Sequence, residues 1–342
     1  MGKSKKILVL RFGALGDLVH TTIIPQAIKA KYPDYEVHYC CESRYAAVLQ
    51  NNPDIDKIIE FDHKRKKDFP YNLQIALKLR HEHYDVVLNL TNAFRNNFMT
   101  FIASPKHKFT KVPMGHKHVV DAFFLSAQKA FPAIKQPRNL RLGLDTAALE
   151  DMKSQVAAYP RPYIILSPGG QTDNNRQGRA WPAESWIELG NLLKGIFGGT
   201  IFLSGSPDER EFHKTISEKI EGAVLFSGRF SISQTMCLIS LCDLFISGDS
   251  GPLHIASGLG VKTIGLFGST NPENVRPYGE NGSFVAAFSK CKFCWQKQCK
   301  KLKAGKKYTP CMKSIKPAHV LNLINNKKLL GSTGDVLRIA LD

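Results

Sequence analysis

No apolar run in this 342-residue sequence approaches the roughly 20 residues that a helix needs to cross a bilayer, which excludes a membrane-embedded body. A secretory leader is not expected either. Ile7-Leu-Val-Leu10 follows a basic start, but Arg11 and Asp17 interrupt it before any small-residue cleavage site. Lys6 stops Met1-Gly2 from continuing into a myristoylation signal. A cytoplasmic protein is expected. The dinucleotide fingerprint Gly-x-Gly-x-x-Gly is absent, which argues against a dehydrogenase, and no short repeat suggests a solenoid. Acid is absent from one long stretch. Between Asn281 and Gly334 there is no Asp or Glu, while lysines such as Lys300, Lys301, Lys306 and Lys307 accumulate. The formal net charge is +18. Such a surface attracts nucleic acid, an anionic leaflet or a phosphorylated substrate, or it serves only solubility; charge alone does not choose.

What is present describes a globular chain long enough for two cores. Short apolar runs alternate with helical patterns: strands at 7–10, 35–40, 57–61 and 85–90, with helices at 17–31, 44–49 and 72–83. Pro137, Pro160 and Pro162 break the rhythm between Gln136 and Pro162, which reads as an interdomain connection. The pattern then restarts, with strands at 163–166, 200–203, 223–226, 243–246 and 262–267, the last expected strand. Helices are expected at 183–197, 208–220, 233–241 and 252–258. Two doubly wound α/β units follow, covering residues 1–155 and 156–330, with residues 331–342 a terminal segment returning to the first. Ligands are expected in a cleft between them.

Glycine-rich strand ends carry the chemistry. Gly13-Ala-Leu-Gly16-Asp17 joins the first strand to the first helix, and Gly13 and Gly16 let a second group approach the backbone. Asp17 either takes a proton from an acceptor hydroxyl or caps the helix. In the second half, Ser247-Gly-Asp-Ser-Gly-Pro-Leu-His254 has the same placement. The small residues Ser250 and Gly251 open a helix whose amides favour a phosphate, and Pro252 suits its start. Asp249 suits sugar hydroxyls or a turn, and His254 either meets a diphosphate or packs. Gly169 and Gly170 end the strand that opens this half. Arg179 precedes a helix and can stabilise a leaving diphosphate, while Trp181-Pro182 is expected to set the start of that helix. Glu209 either holds ribose hydroxyls or caps a helix. Cys291, Cys294, Cys299 and Cys311 form C-x2-C-x4-C-x11-C among lysines, which suggests a structural metal such as zinc or iron; reduced thiols or disulfides are the alternative.

In order, Arg11-Phe-Gly-Ala-Leu-Gly-Asp-Leu18, Arg179-Ala-Trp-Pro182, Gly248-Asp-Ser-Gly-Pro-Leu-His254 and the cysteine-rich stretch into Cys311-Met-Lys-Ser-Ile315 resemble the bacterial lipopolysaccharide-core heptosyltransferases of glycosyltransferase family 9. The resemblance implies a GT-B fold, with two Rossmann-like domains facing a central cleft. It also implies an ADP-heptose donor, inversion without a catalytic metal cofactor, and Asp17 as general base. Arg179 falls where the family commonly has Lys, and Arg binds oxygens with a different geometry. The implied partners are a phosphorylated lipid A–Kdo core acceptor and the anionic inner face of the cytoplasmic membrane, where the enzyme would bind peripherally. Nucleic acid is not expected. Another nucleotide sugar, such as a UDP-sugar, or non-enzymatic anion or nucleic-acid binding, are the competing readings.

Overall fold

A computed structural model describes residues 4–91, 93–113, 115, 117–169, 179–296, 299–302 and 308–331. Contacts divide the chain into Met1–Asp145 and Thr146–Asp342. The first unit contains β1 (Lys6–Leu10), α1 (Leu15–His20), α2 (Ile23–Lys31), β2 (Glu36–Glu42), β3 (Lys57–Phe61), α3 (Phe69–His81), β4 (Val86–Asn89), α4 (Phe94–Ala103), β5 (His107–Thr110) and α5 (Val119–Gln128). Its sheet has the order β3-β2-β1-β4-β5, with every pair parallel. Ile7, Leu8, Val9 and Leu10 are fully buried, as a strand covered on both faces requires.

The second unit begins with α6 (Thr146–Val156), whose Met152 and Val156 are buried and which packs against the helix Ile232–Leu241. It continues through β6 (Tyr163–Ser167), α7 (Ala183–Phe197), β7 (Thr200–Leu203), α8 (Arg210–Ser217), β8 (Val224–Leu225), α9 (Ile232–Leu241), β9 (Leu244–Gly248), α10 (Gly251–Gly258) and β10 (Thr263–Phe267). After these come α11 (Pro272–Val275), β11 (Gly282–Ala286), α12 (Pro310–Lys313) and α13 (Pro317–Asn326). The parallel sheet runs β11-β10-β9-β6-β7-β8. Trp181 and Trp186 are buried edge-to-face at 4.9 Å, and Trp181 Nε1 donates to the Ile315 carbonyl at 2.9 Å. Burial of such side chains contributes about 1.5–3 kcal/mol each. Trp181 therefore anchors the start of α7 to the C-terminal helices.

Three local expectations change. The single helix expected over 17–31 is two, because Pro25 has no N–H for the Thr21 carbonyl, which accepts from Ile24 at 3.1 Å instead. Residues 43–48 form a 3-10 helix rather than an α-helix. Lys262–Phe267 is not the last strand: β11 pairs alongside β10 from Thr263↔Gly282 to Phe267↔Ala286. The terminal segment expected to return to the first domain lies, beyond Gly331, outside the described residues.

Candidate functional site

In the second unit the candidate site grows from the carboxyl ends of β6 and β9. Ser247 Oγ donates to the Ser167 carbonyl at 2.9 Å and lies 2.9 Å from Ser250 Oγ, tying the two strand ends together. A Cβ at Gly248 would lie 3.0 Å from the Arg179 carbonyl, so a glycine there admits the Arg179 backbone. Ser250 flanks α10, with Gly251 its first residue and Pro252 its second. The first-turn amides and the helix dipole favour an anion at this end.

Asp249 lies at the centre and is only 7% exposed. Its Oδ2 is 3.2 Å from Arg179 Nη2, and its Oδ1 is 3.6 Å from His254 Nε2. Arg179 Nη1 also donates to the Asp249 carbonyl at 3.2 Å. Burial alone would raise the Asp249 pKa, but the His254 hydrogen bond and the Arg179 charge outweigh it and hold the carboxyl below its usual range. The buried carboxylate thus orients two nitrogen-bearing side chains. Arg179 remains about one-third exposed, while His254 is buried with Asp249. Gly169 belongs to the same shallow pocket, with Pro168, Arg179 and Ser250. Gly170, the neighbouring expected contact, lies outside the described residues.

Glu209 closes a capping box: its Oε2 accepts from the Ser206 amide at 2.8 Å. Helix-start capping, one of the two sequence-based readings, is therefore present, and Oε1 faces Gly169. Sequence reasoning missed His213 beneath this edge. Its Nε2 donates to the Gly169 carbonyl at 3.1 Å, which puts the proton on Nε2 in the neutral ring and leaves Nδ1 to accept from Ser227 Oγ at 2.6 Å. Burial pushes the His213 pKa down. Gly169 has φ +75°, a left-handed conformation that suits glycine and turns its carbonyl onto this ring. No local spacing distinguishes such a histidine from a packed one.

In the first unit, Asp17 does not cap α1. The N-cap is Ala14, which offers no side-chain acceptor, and Asp17 sits in the first helical turn. Its carboxylate pairs with Arg11 Nη2 and stays about one-third exposed. Arg11 itself is buried, donates from Nη1 to the Leu90 carbonyl at 2.8 Å and lies over the Phe123 ring. Lys111 also stands over Phe123, at 4.8 Å. Burial first and then the Arg11 charge depress the Lys111 pKa, with Asp17 acting in the opposite direction. Gly13, at φ +124°, donates its amide to the buried Glu42 at 3.1 Å, and Glu42 also meets Arg44 and His63. Gly16 lies between Leu15 and Asp17 in α1, partly exposed. Arg11, Glu42 and Lys111 were not separable by sequence, because their roles come from neighbours on other strands.

The cysteines do not meet the metal expectation. Among the described residues, no group of three or more His, Cys, Asp or Glu could hold a metal ion. Cys294 is exposed, whereas Cys311 is buried with its Sγ 3.1 Å from Thr309 Oγ1. Burial first, and then the neighbouring Cys299 and Cys291, raise the Cys311 pKa, so these thiols lie near one another without forming such a group among the described residues. Among the described residues, no helix is long and apolar enough to cross a membrane.

Two units, each built on a parallel sheet with glycine-rich strand ends, define an α/β protein of the doubly wound class. The model of glycosyltransferase family 9 (heptosyltransferase) matches residues 73–304. The chain is 27% identical over 310 residues to the lipopolysaccharide core heptosyltransferase OpsX of Haemophilus influenzae, covering 83% of this chain and 85% of the relative. Two solved structures share its fold. One is a family 9 glycosyl transferase from Veillonella parvula (TM-score 0.81, 18% identity, 96% and 98% of the chains covered). The other is the ADP-heptose LPS heptosyltransferase II of E. coli (TM-score 0.74, 19% identity, 94% and 98% covered). The architecture is the expected GT-B one, with two units each built on a parallel sheet. This chain belongs to glycosyltransferase family 9, the heptosyltransferases, and is a glycosyltransferase.

Proposed function

We propose that this enzyme transfers heptose from ADP-heptose to the inner core of lipopolysaccharide, onto Kdo or a heptose, with inversion at the anomeric carbon. The observation that carries the reading is Asp17: a carboxylate in the first turn of α1, the helix that follows β1, partly exposed, paired with Arg11 and not engaged in capping. The acceptor hydroxyl loses its proton to Asp17 as its oxygen attacks the anomeric carbon, and the bond to the diphosphate breaks on the opposite face. Gly13 and Gly16 leave room for the acceptor beside the backbone.

On the donor side, Arg179, oriented by Asp249, meets the departing diphosphate. Ser250, Gly251 and Pro252 bring the start of α10 to the phosphates, and His254 supports the same charge. Gly169 and Gly170 admit the nucleotide, and Glu209 holds its ribose hydroxyls through Oε1, the oxygen that faces Gly169. The names of the similar proteins support heptose and lipopolysaccharide as the substrate classes. The net charge of +18 supports a phosphorylated lipid A–Kdo acceptor presented at the anionic inner face of the cytoplasmic membrane, to which the enzyme binds peripherally.

Incubation with ADP-heptose and truncated core acceptors, read by mass spectrometry, tests this. Addition of one heptose is expected. Transfer from a UDP-sugar with none from ADP-heptose would replace the donor assignment.

A further inference from the structure

Helix α4 buries polar side chains beside apolar ones and leaves aromatic rings outside. Asn96, Met99, Thr100 and Ala103 face inward, and Asn96 is fully buried with neither side-chain polar atom hydrogen-bonded. Phe94, Phe98 and Phe101, spaced i, i+4, i+7, form an outward stripe, with Phe94 88% and Phe101 74% exposed. Its neighbour α3 buries Tyr71, Ile75, Ala76 and Leu79 but also carries an outward apolar row of Phe69, Leu73 and Leu77, with Phe69 62% exposed. The two rows meet where the Phe69 and Phe98 rings lie 5.6 Å apart. A fully exposed aromatic presents about 150–250 Å². Together the rows make a contiguous apolar ridge of the size that marks an interaction surface.

Cations border the ridge. Lys64, Lys66 and Lys67 are exposed just before α3, and Lys78 and Arg80 are exposed near its end. A partner that is apolar inside and anionic at its surface matches this combination, as an anionic bilayer does. The ridge also lies at the catalytic edge of its unit. His63 in the basic loop and the Gly13 amide share Glu42 Oε1, at 3.0 and 3.1 Å. Arg95, in the first turn of α4, stands over the Phe12 ring at 5.2 Å and the Phe61 ring at 4.9 Å.

We propose that the α3–α4 face is the membrane-docking surface of this enzyme, with the phenylalanines entering the interfacial region of an anionic bilayer and the adjoining lysines meeting its headgroups. This deepens the proposed function and rests on it for a lipid-anchored acceptor: the tail remains in the bilayer while the sugar end reaches the Asp17 edge. The Lys-rich stretch after Asn281 then supplies long-range attraction rather than insertion.

Co-sedimentation of the full chain with phosphatidylglycerol-containing and pure phosphatidylcholine vesicles tests the assignment. Strong, salt-sensitive binding only to the anionic vesicles is expected. The Phe69→Ser/Phe94→Ser/Phe101→Ser protein should bind them about tenfold or more less tightly, and Lys66→Glu/Lys67→Glu should also weaken binding. Both variants should keep the parental unfolding temperature, because the changed side chains are exposed. Both should also keep normal transfer to a delipidated, water-soluble core acceptor. Undiminished vesicle binding by the triple-serine protein overturns the proposal. So does loss of binding on Lys300→Gln/Lys301→Gln alone, or a parental dimer that the serines make monomeric without affecting vesicle binding. Failure of the parent to transfer heptose to the soluble acceptor would overturn the proposed function instead, since vesicle binding is read without donor.

Discussion

Arg179 meets Asp249 twice, through its carboxylate at 3.2 Å and its main-chain carbonyl at 3.2 Å, so the guanidinium that shares a pocket with Ser250 is held in a fixed geometry. Asp249→Asn keeps the side-chain shape but removes the charge that orients Arg179. ADP affinity measured by calorimetry is expected to fall about tenfold, a loss of roughly 1.4 kcal/mol. Arg179→Lys should lose a similar amount, because an ammonium cannot span both acceptors. Unchanged ADP affinity in both variants would remove this network from the donor site.

Asp17→Asn retains size and polarity while abolishing the proton acceptor. Transfer is expected to fall by a factor on the order of 10²–10⁴, with ADP affinity nearly unchanged. Near-normal turnover would sink the base assignment.

Glu82 joins Lys57 at 2.5 Å and Lys6 at 3.1 Å in the first unit. The Lys57 hydrogen bond, joined by that of Lys6 and opposed by burial, holds its pKa down at about 2, below the ordinary 4.5. A depressed carboxylate adds stability above its unfolded pKa, and that stability is lost as pH falls through the folded value. Glu82→Gln should therefore cost about 1 kcal/mol in urea unfolding at pH 7. The difference from the parent should shrink between pH 4.5 and 2. A cost independent of pH would show that packing rather than charge is responsible.

Trp181→Phe removes the donor to the Ile315 carbonyl while keeping an aromatic ring in the core. A loss of about 1–3 kcal/mol in unfolding free energy is expected, with ADP affinity preserved. Loss of ADP binding in a stably folded variant would give Trp181 a role in the donor site.

Much of the architecture was legible because it is local. Ile7–Leu10 and Tyr163–Leu166 are apolar runs flanked by turn residues, and the structure makes strands of them. The helix expected at 183–197 has those limits. Strand β11 was not legible, because Gly282-Ser-Phe-Val-Ala286 is short and becomes a strand through its pairing with β10. The break in the first helix came from one proline acting on a carbonyl four residues earlier, a detail that periodicity averages away.

The sequence by itself determined the two α/β units, the glycine-rich strand ends and the residues gathered there, since these depend on neighbours a few positions apart. Tertiary structure decided what those residues engage. It paired Asp17 with Arg11, buried Asp249 between Arg179 and His254, gave one oxygen of Glu209 to a capping box and brought His213 under Gly169. It also kept the four late cysteines from forming a metal-binding group among the described residues, and turned the phenylalanines of α4 outward. Each outcome depends on which distant strand or helix supplies the nearest charge, hydrogen bond or apolar surface, and spacing along the chain does not encode that distance.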